Sequence, residues 1–151
     1  MTIRRSTLAA SLAASLAFAA NAMAASAPAP TEATRIANQY SQWAGGHSNA
    51  EALVAGLRNG APVTIVTNSA DRSVSIAGFT PASSMGYGSV ASALAEAQHS
   101  LERLGIRKPN AEQIQAALIG GEISTANGGV TVVKGSVVAR GPAPGKVASA
   151  R

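Results

Sequence analysis

Few side chains in this sequence have the chemistry to act as catalysts or metal ligands. Its 151 residues include 2 His, 7 Asp or Glu and no Cys, which excludes disulfides, thiolate metal sites and a cysteine nucleophile. The two histidines, His47 and His99, stand far apart, and neither His-x-His nor His-Glu-x-x-His occurs. Zinc and copper sites usually draw on such spacings. The sequence therefore predicts no metal site and no cofactor.

No hydrolase motif is recognisable either. A Gly-x-Ser-x-Gly nucleophile elbow is missing, and neither histidine is placed as the partner of a particular serine. We therefore assign no catalytic residues. The enzymatic alternative is an exported hydrolase whose acid and base come from positions that are distant in the chain, such as His47, Glu51 and Asp71.

Residues 86–91 (GYGSVA) match the pattern Gly-x-Gly-x-x-Ala. In dinucleotide-binding proteins this pattern directly follows a strand and opens the helix of a βαβ unit. Here a loop separates it from the preceding predicted strand, and a second helix is the next predicted element. We therefore interpret the glycines as a tight turn leading into a helix, with Ser89 near the helix start.

The loop of residues 79–88 collects several of the chain's few bulky side chains, namely Phe79, Pro81, Met85 and Tyr87. Loops held between regular elements commonly contact partners, and methionine adapts to varied surfaces. We predict that these four residues form a binding loop. The alternative, that they close the bottom of the hydrophobic core, stays open at this point.

Tyr40, Trp43 and His47 are secondary surface candidates, provided that the first helix docks near this loop. Thr31 can cap that helix, and Ile36, Tyr40 and Trp43 follow at helical spacing, which predicts one apolar stripe. His47 lies in the turn Gly45-Gly46-His47-Ser48 just before the second predicted helix.

Two further helix starts carry capping signals. Ser48 and Glu51 have the spacing of a capping box, in which each side chain satisfies a free backbone N–H of the first turn. Asn110 and Gln113 repeat that spacing later in the chain. We expect one helix to begin at each pair.

The longest helix is predicted over residues 89–104. Its apolar positions fall on one side: Val90, Leu94, Ala97, Leu101 and Leu104. Gly105 can end this helix in a left-handed conformation, with Ile106 folding back on Leu101 as in a Schellman motif.

Strand patterns follow the second and fourth helices. Residues 63–67 and 73–79 predict one hairpin, and residues 122–126 and 130–133 predict another around Asn127-Gly128-Gly129, because an Asn-Gly pair favours a tight hairpin turn. Residues 137–140 are expected to extend the second hairpin into a meander. The predicted class is α+β, with a small antiparallel sheet (two hairpins or a meander) covered by three to four helices.

The N-terminal 24 residues have the pattern of a secretory signal. Arg4 and Arg5 precede an uncharged stretch, residues 8–20, that ends near Ala22-Met23-Ala24, a suitable cleavage site. The stretch is shorter than the roughly 20 residues of a membrane-spanning helix. We therefore expect a signal peptide at 1–24, an Ala/Pro spacer at 25–30, one α+β domain at 31–140 and a disordered basic tail at 141–151.

The formal net charge of +5 belongs mainly to the two chain ends. Arg4 and Arg5 lie in the predicted signal, and four basic residues follow the last acidic residue, Glu122. No aromatic residues accompany the basic residues near position 105, so base stacking is not expected. We predict a periplasmic or secreted, non-enzymatic binding or accessory protein that contacts an envelope or extracellular protein or polymer, without nucleic acid and without a membrane span. A subunit of an extracellular assembly is the remaining alternative.

Overall fold

The computed structural model describes residues 30–68, 72–125 and 128–140. The predicted signal peptide, nearly all of the predicted spacer and the predicted basic tail lie outside the described residues. These three assignments therefore stay predictions from the sequence.

The described residues form an α+β fold, as the sequence predicted. In chain order the elements are α1 (Glu32–Tyr40), α2 (His47–Asn59), β1 (Val63–Asn68), β2 (Val74–Phe79), α3 (Tyr87–Arg103), α4 (Ala111–Ile119), β3 (Gly121–Ser124) and β4 (Val130–Val133). The order helix, helix, strand, strand thus occurs twice. β1 pairs antiparallel with β2, and β3 pairs antiparallel with β4. Of the two predicted arrangements, the structure has two hairpins.

Most helix ends follow the local signals in the sequence. The Thr31 hydroxyl accepts a hydrogen bond from the backbone N–H of Thr34, and Asn110 and Gln113 form the predicted capping box. At the end of α3, the backbone N–H of Ile106 donates to the Leu101 carbonyl at 2.9 Å, the bond that defines a Schellman motif. Gly105 supplies the required left-handed backbone with φ of 77°.

The predicted capping box at Ser48 and Glu51 is wrong. The N-cap of helix α2 lies two residues earlier, at Gly46, and no side-chain hydrogen bond forms at the cap. Gly46 has a φ of 149°, a left-handed conformation that favours glycine over serine. The turn geometry before the helix therefore decides where α2 starts, and Ser48 lies exposed within its first turn.

The predicted third strand beside β4 is also wrong. Residues 137–140 leave β4 and cross to the first hairpin, where Ala139 forms an isolated antiparallel bridge with Pro81. On the way, the backbone N–H of Val137 donates to the Leu118 carbonyl at the end of α4. A Cβ on Gly135 would lie 2.2 Å from the backbone nitrogen of Gly120. This close backbone approach turns the chain over the end of α4 and away from β4.

The core lies between the helices and the inner faces of the two hairpins. The apolar stripe of α3 is buried at Val90, Leu94, Ala97 and Leu101, as its spacing predicted, and Leu104 is half-buried. In β1 the alternating side chains of Val63, Ile65 and Thr67 point inward, while Val66 is 43% exposed. Within the described part of the chain, no helix has the length and apolar character needed to cross a membrane.

Candidate functional site

The structure divides the predicted binding loop into a buried half and a surface half. Phe79 is 7% exposed and Pro81 is fully buried, so both belong to the core. Met85 is half-buried against the core, and Tyr87 is 36% exposed at the start of α3. The loop therefore does close the core at one end, while Tyr87 is its bulky side chain at the surface.

Contacts with α2 hold the surface half of the loop in place. The backbone N–H of Met85 donates to the Leu57 carbonyl at 3.0 Å. Gly60 ends α2 with a φ of 65°, and a Cβ there would lie 3.1 Å from the backbone nitrogen of Ser84. Because α2 turns sharply at Gly60, the loop can pass close to the helix end and bring Tyr87 beside it.

Arg58 lies against Tyr87 at the end of α2. Its guanidinium carbon is 5.1 Å from the centre of the Tyr87 ring, within the range of a cation–π contact. Its Nη1 also donates to the Met85 carbonyl oxygen at 3.4 Å. The ion pairs among the described residues do not include Arg58, so no described carboxylate lies within ion-pair distance of it.

A cleft of about 250 Å³ opens between α1 and α2 beside this pair. Its apolar part is lined by Ala33, Ala37, Val54 and Ala55, and its polar part by Thr34, Glu51, Arg58, Asn59 and Tyr87. We call this the Tyr87 cleft. Small side chains line its floor, and a cation on an aromatic ring lies at one end, so it offers an apolar surface next to an anion-binding group.

Sequence reasoning missed Arg58 as part of this site. Its position carries a weak signal, because Glu51 and Arg58 are seven residues apart and therefore share one face of α2. That spacing does not show that Tyr87 would lie beside this face of α2.

Two of the three secondary candidates are not at the surface. Tyr40 is 3% exposed and Trp43 is 6% exposed, and their rings meet edge to face at 6.2 Å. The Tyr40 hydroxyl donates to the Ala91 carbonyl oxygen at 3.3 Å. Burial raises the pKa of Tyr40 above its usual value of 10.0. These aromatic side chains are buried because α1 packs on both α2 and α3, and this corrects the expectation of surface aromatics.

His47, the third secondary candidate, is exposed on the first turn of α2. Its Nε2 lies 3.2 Å from the Glu51 carboxylate, and the two side chains are 49% and 59% exposed. An imidazole and a carboxylate, one helical turn apart in the chain, are therefore in contact and exposed to solvent. Asp71, the other residue of the hydrolase alternative, lies outside the described residues. Among the described residues, no group of three or more acidic or histidine side chains is arranged to hold a metal ion.

Comparison with protein-family models, with curated proteins and with solved structures finds no match to this chain.

Proposed function

We propose that this protein is an exported, non-enzymatic binding module, and that the Tyr87 cleft holds a carboxylate-bearing segment of an envelope or extracellular protein. The observation that carries this proposal is the position of Arg58. Its guanidinium lies on the Tyr87 ring in the lining of a partly apolar cleft and has no ion-pair partner among the described residues.

Arg58 is suited to such a role by its geometry. A planar guanidinium can donate two parallel hydrogen bonds to one carboxylate, and stacking on an aromatic ring keeps it oriented for that contact. The Met85 carbonyl provides a second anchor at 3.4 Å. A carboxylate bound there would place its neighbouring side chain over the floor formed by Ala33, Ala37 and Ala55. The space suits a small apolar side chain.

Binding fits this cleft better than hydrolysis does. The polar groups along it are Thr34, Glu51, Arg58, Asn59 and Tyr87, and the described hydrogen bonds join no nucleophile to a base there. His47 and Glu51 form an open pair that solvent reaches from outside. Catalysis of acyl transfer would require a hydroxyl hydrogen-bonded to its base in a site that excludes water.

The cleft can be tested with two small probes by following backbone amide shifts in NMR. N-acetyl-alanyl-alanine with a free carboxylate should shift the amides of Arg58 and Tyr87, and its carboxamide analogue should bind about tenfold more weakly, because a charge-assisted hydrogen bond is lost. The variant Arg58→Gln should bind both probes equally weakly. As a matched control, Arg35→Gln removes an arginine that is already paired with Glu32 at 3.0 Å. Equal binding of the two probes by the unmodified protein would refute the proposal.

The export part of the proposal rests on the sequence and has its own test. The full-length chain with a C-terminal tag, expressed in a Gram-negative host, should yield a periplasmic form whose intact mass begins at Ala25. An uncleaved cytoplasmic product would remove the basis for an envelope partner. It would not affect the outcome of the probe titration, so the two parts of the proposal are separable.

One observation favours the assembly alternative as a second candidate. Val66, Val74 and Ile76 are 43%, 59% and 63% exposed on the outer face of the first hairpin, and Val66 stands directly opposite Ile76. Light scattering at rising protein concentration tests this alternative. A constant monomer mass would exclude it, and a mass increase that Ile76→Thr suppresses would support it.

A further inference from the structure

Among the described residues, carboxamide side chains bond to the outer edge of three of the four strands, at one residue on each strand. In β1, Asn49 Nδ2 donates to the Val66 carbonyl at 2.7 Å and Asn49 Oδ1 accepts from the Val66 N–H at 3.2 Å. In β2 and β3 a single carbonyl is bonded on each strand: Gln115 donates to the Gly78 carbonyl at 2.8 Å, and Gln113 donates to the Ser124 carbonyl at 3.2 Å. Capping of this kind occupies backbone groups that would otherwise pair with another chain.

The fourth edge, that of β4, has no such cap among the described residues. The backbone N–H of Thr125 donates to the Gly129 carbonyl at 2.8 Å. This bond makes Thr125 and Gly129 a hydrogen-bonded pair of the hairpin. Because hydrogen-bonded and open pairs alternate along antiparallel strands, the backbone groups of Thr131 bond to β3, whereas those of Val130 and Val132 point away from it. No described hydrogen bond reaches those outward groups, and the Val130 and Val132 side chains are 63% and 75% exposed.

A groove of about 320 Å³ runs between β4 and α3. Residues 131–134 form one wall, and Glu96, Ser100 and Arg103 of α3 with Leu104 at its end form the other. A chain lying there would meet the open backbone groups of β4 on one side and helix side chains on the other. Peptides that add to a sheet edge bind in this way, with main-chain hydrogen bonds supplying affinity and the neighbouring side chains supplying specificity.

The charges of this groove indicate what such a peptide should carry. The described contact of Arg103 is a hydrogen bond from its Nη2 to the Ser100 hydroxyl at 3.3 Å, and neither Arg103 nor Lys134 takes part in the described ion pairs. Arg103 and Lys134 therefore flank the groove without carboxylate partners, and Glu96 is the acidic residue in its lining, so the cations outnumber the carboxylate. An acidic side chain on the bound peptide would complement them.

We propose that the groove between β4 and α3 binds an extended, acidic peptide segment of a partner protein, which pairs with β4 as a third strand. This surface shares no lining residue with the Tyr87 cleft and is independent of it. Pairing with the β4 edge of a second copy is the competing outcome, and the test below distinguishes it by its dependence on protein concentration.

A matched pair of blocked hexapeptides tests the proposal. The acidic probe is acetyl-Ser-Val-Glu-Val-Thr-Ser-amide, and the control has Lys in place of Glu. In NMR titrations up to millimolar concentration, the acidic probe should shift the amides of Val130, Val132 and Arg103 and protect the Val132 amide from hydrogen exchange. The Lys peptide should bind about fivefold more weakly, as expected when a favourable charge contact becomes a repulsive one.

A proline variant separates main-chain pairing from mere charge attraction. Val132→Pro removes an N–H that points away from β3, so the hairpin should persist while protection and binding are lost. Val74→Pro is the matched control, because it places proline at an exposed strand position on the other hairpin. If Val132→Pro fails to fold, the pair Arg103→Glu and Lys134→Glu decides, since together they should reverse the preference between the two probes.

Three results would overturn the proposal. The first is the absence of shifts around the groove with the acidic probe, and the second is unchanged binding by folded Val132→Pro. The third is protection of the Val132 amide that rises with protein concentration in the absence of peptide, which would assign this edge to self-association.

Discussion

The side-chain amide of Asn49 contacts both backbone groups of Val66, donating to its carbonyl at 2.7 Å and accepting from its N–H at 3.2 Å. The same Nδ2 also donates to the Ala44 carbonyl at 2.8 Å. One side chain thus joins the turn before α2, the first turn of α2 and the edge of β1.

We expect Asn49→Ala to lower the free energy of unfolding by about 2 kcal/mol, because three hydrogen bonds are lost and the backbone groups of Val66 are left to solvent. Urea unfolding followed by circular dichroism measures this. Ser48→Ala is the control and should change stability by less than about 0.5 kcal/mol. A larger loss from Ser48→Ala than from Asn49→Ala would contradict the described start of α2.

Substitution of two glycines by alanine should have opposite effects. Gly135→Ala places a Cβ 2.2 Å from the backbone of Gly120 and Ile119, atoms that cannot move aside without shifting α4. We expect a loss of about 3 kcal/mol or a failure to fold. Gly88→Ala meets no atom within 4 Å and lies in the first turn of α3, so it should be neutral or stabilising by up to about 1 kcal/mol. Thermal melts of both variants show whether stability falls or rises in each.

Alanine substitutions in the 79–88 loop should lower stability much more at a buried position than at an exposed one. Phe79→Ala removes a buried ring and should cost about 3 to 4 kcal/mol of stability. Tyr87→Ala removes a partly exposed ring and its contact with Arg58, a loss of about 1 kcal/mol or less. Denaturant unfolding distinguishes the two. Comparable losses at both positions would mean that Tyr87 belongs to the core and would weaken the case for the cleft.

The buried phenol of Tyr40 should make the fold sensitive to alkaline pH. Burial raises its pKa in the folded protein above the ordinary value of 10.0, so the unfolded chain releases this proton first. Stability is therefore unaffected below about pH 10 and falls as the pH rises above it. In Tyr40→Phe this part of the alkaline loss should be absent. Free energies of unfolding at pH 9 and pH 11 for both proteins provide the test, and an identical decrease in the two would disprove the assignment.

Local features of this protein could be predicted from the sequence because they depend on residues a few positions apart. The capping box of Asn110 and Gln113, the Schellman motif at Gly105 and the stripe of α3 each involve one or two helical turns. The hairpin around Gly128 also depends on residues close together in the sequence, because the residues of its turn favour tight reversal of the chain. The α+β class results from the order of these elements.

Only the tertiary structure decided which of these residues reach the surface and which meet. Phe79 and Tyr87 belong to one loop, yet the first is buried and the second is exposed beside Arg58. The sequence by itself determined the helices and the hairpins, and the export signal stays a prediction from it. The Tyr87 cleft and the carboxamide bonds to the edges of β1 and β2 arise from contacts between segments far apart in the chain. Such contacts depend on how complete elements pack, and local spacing can show which face of an element is buried but not which other element it meets.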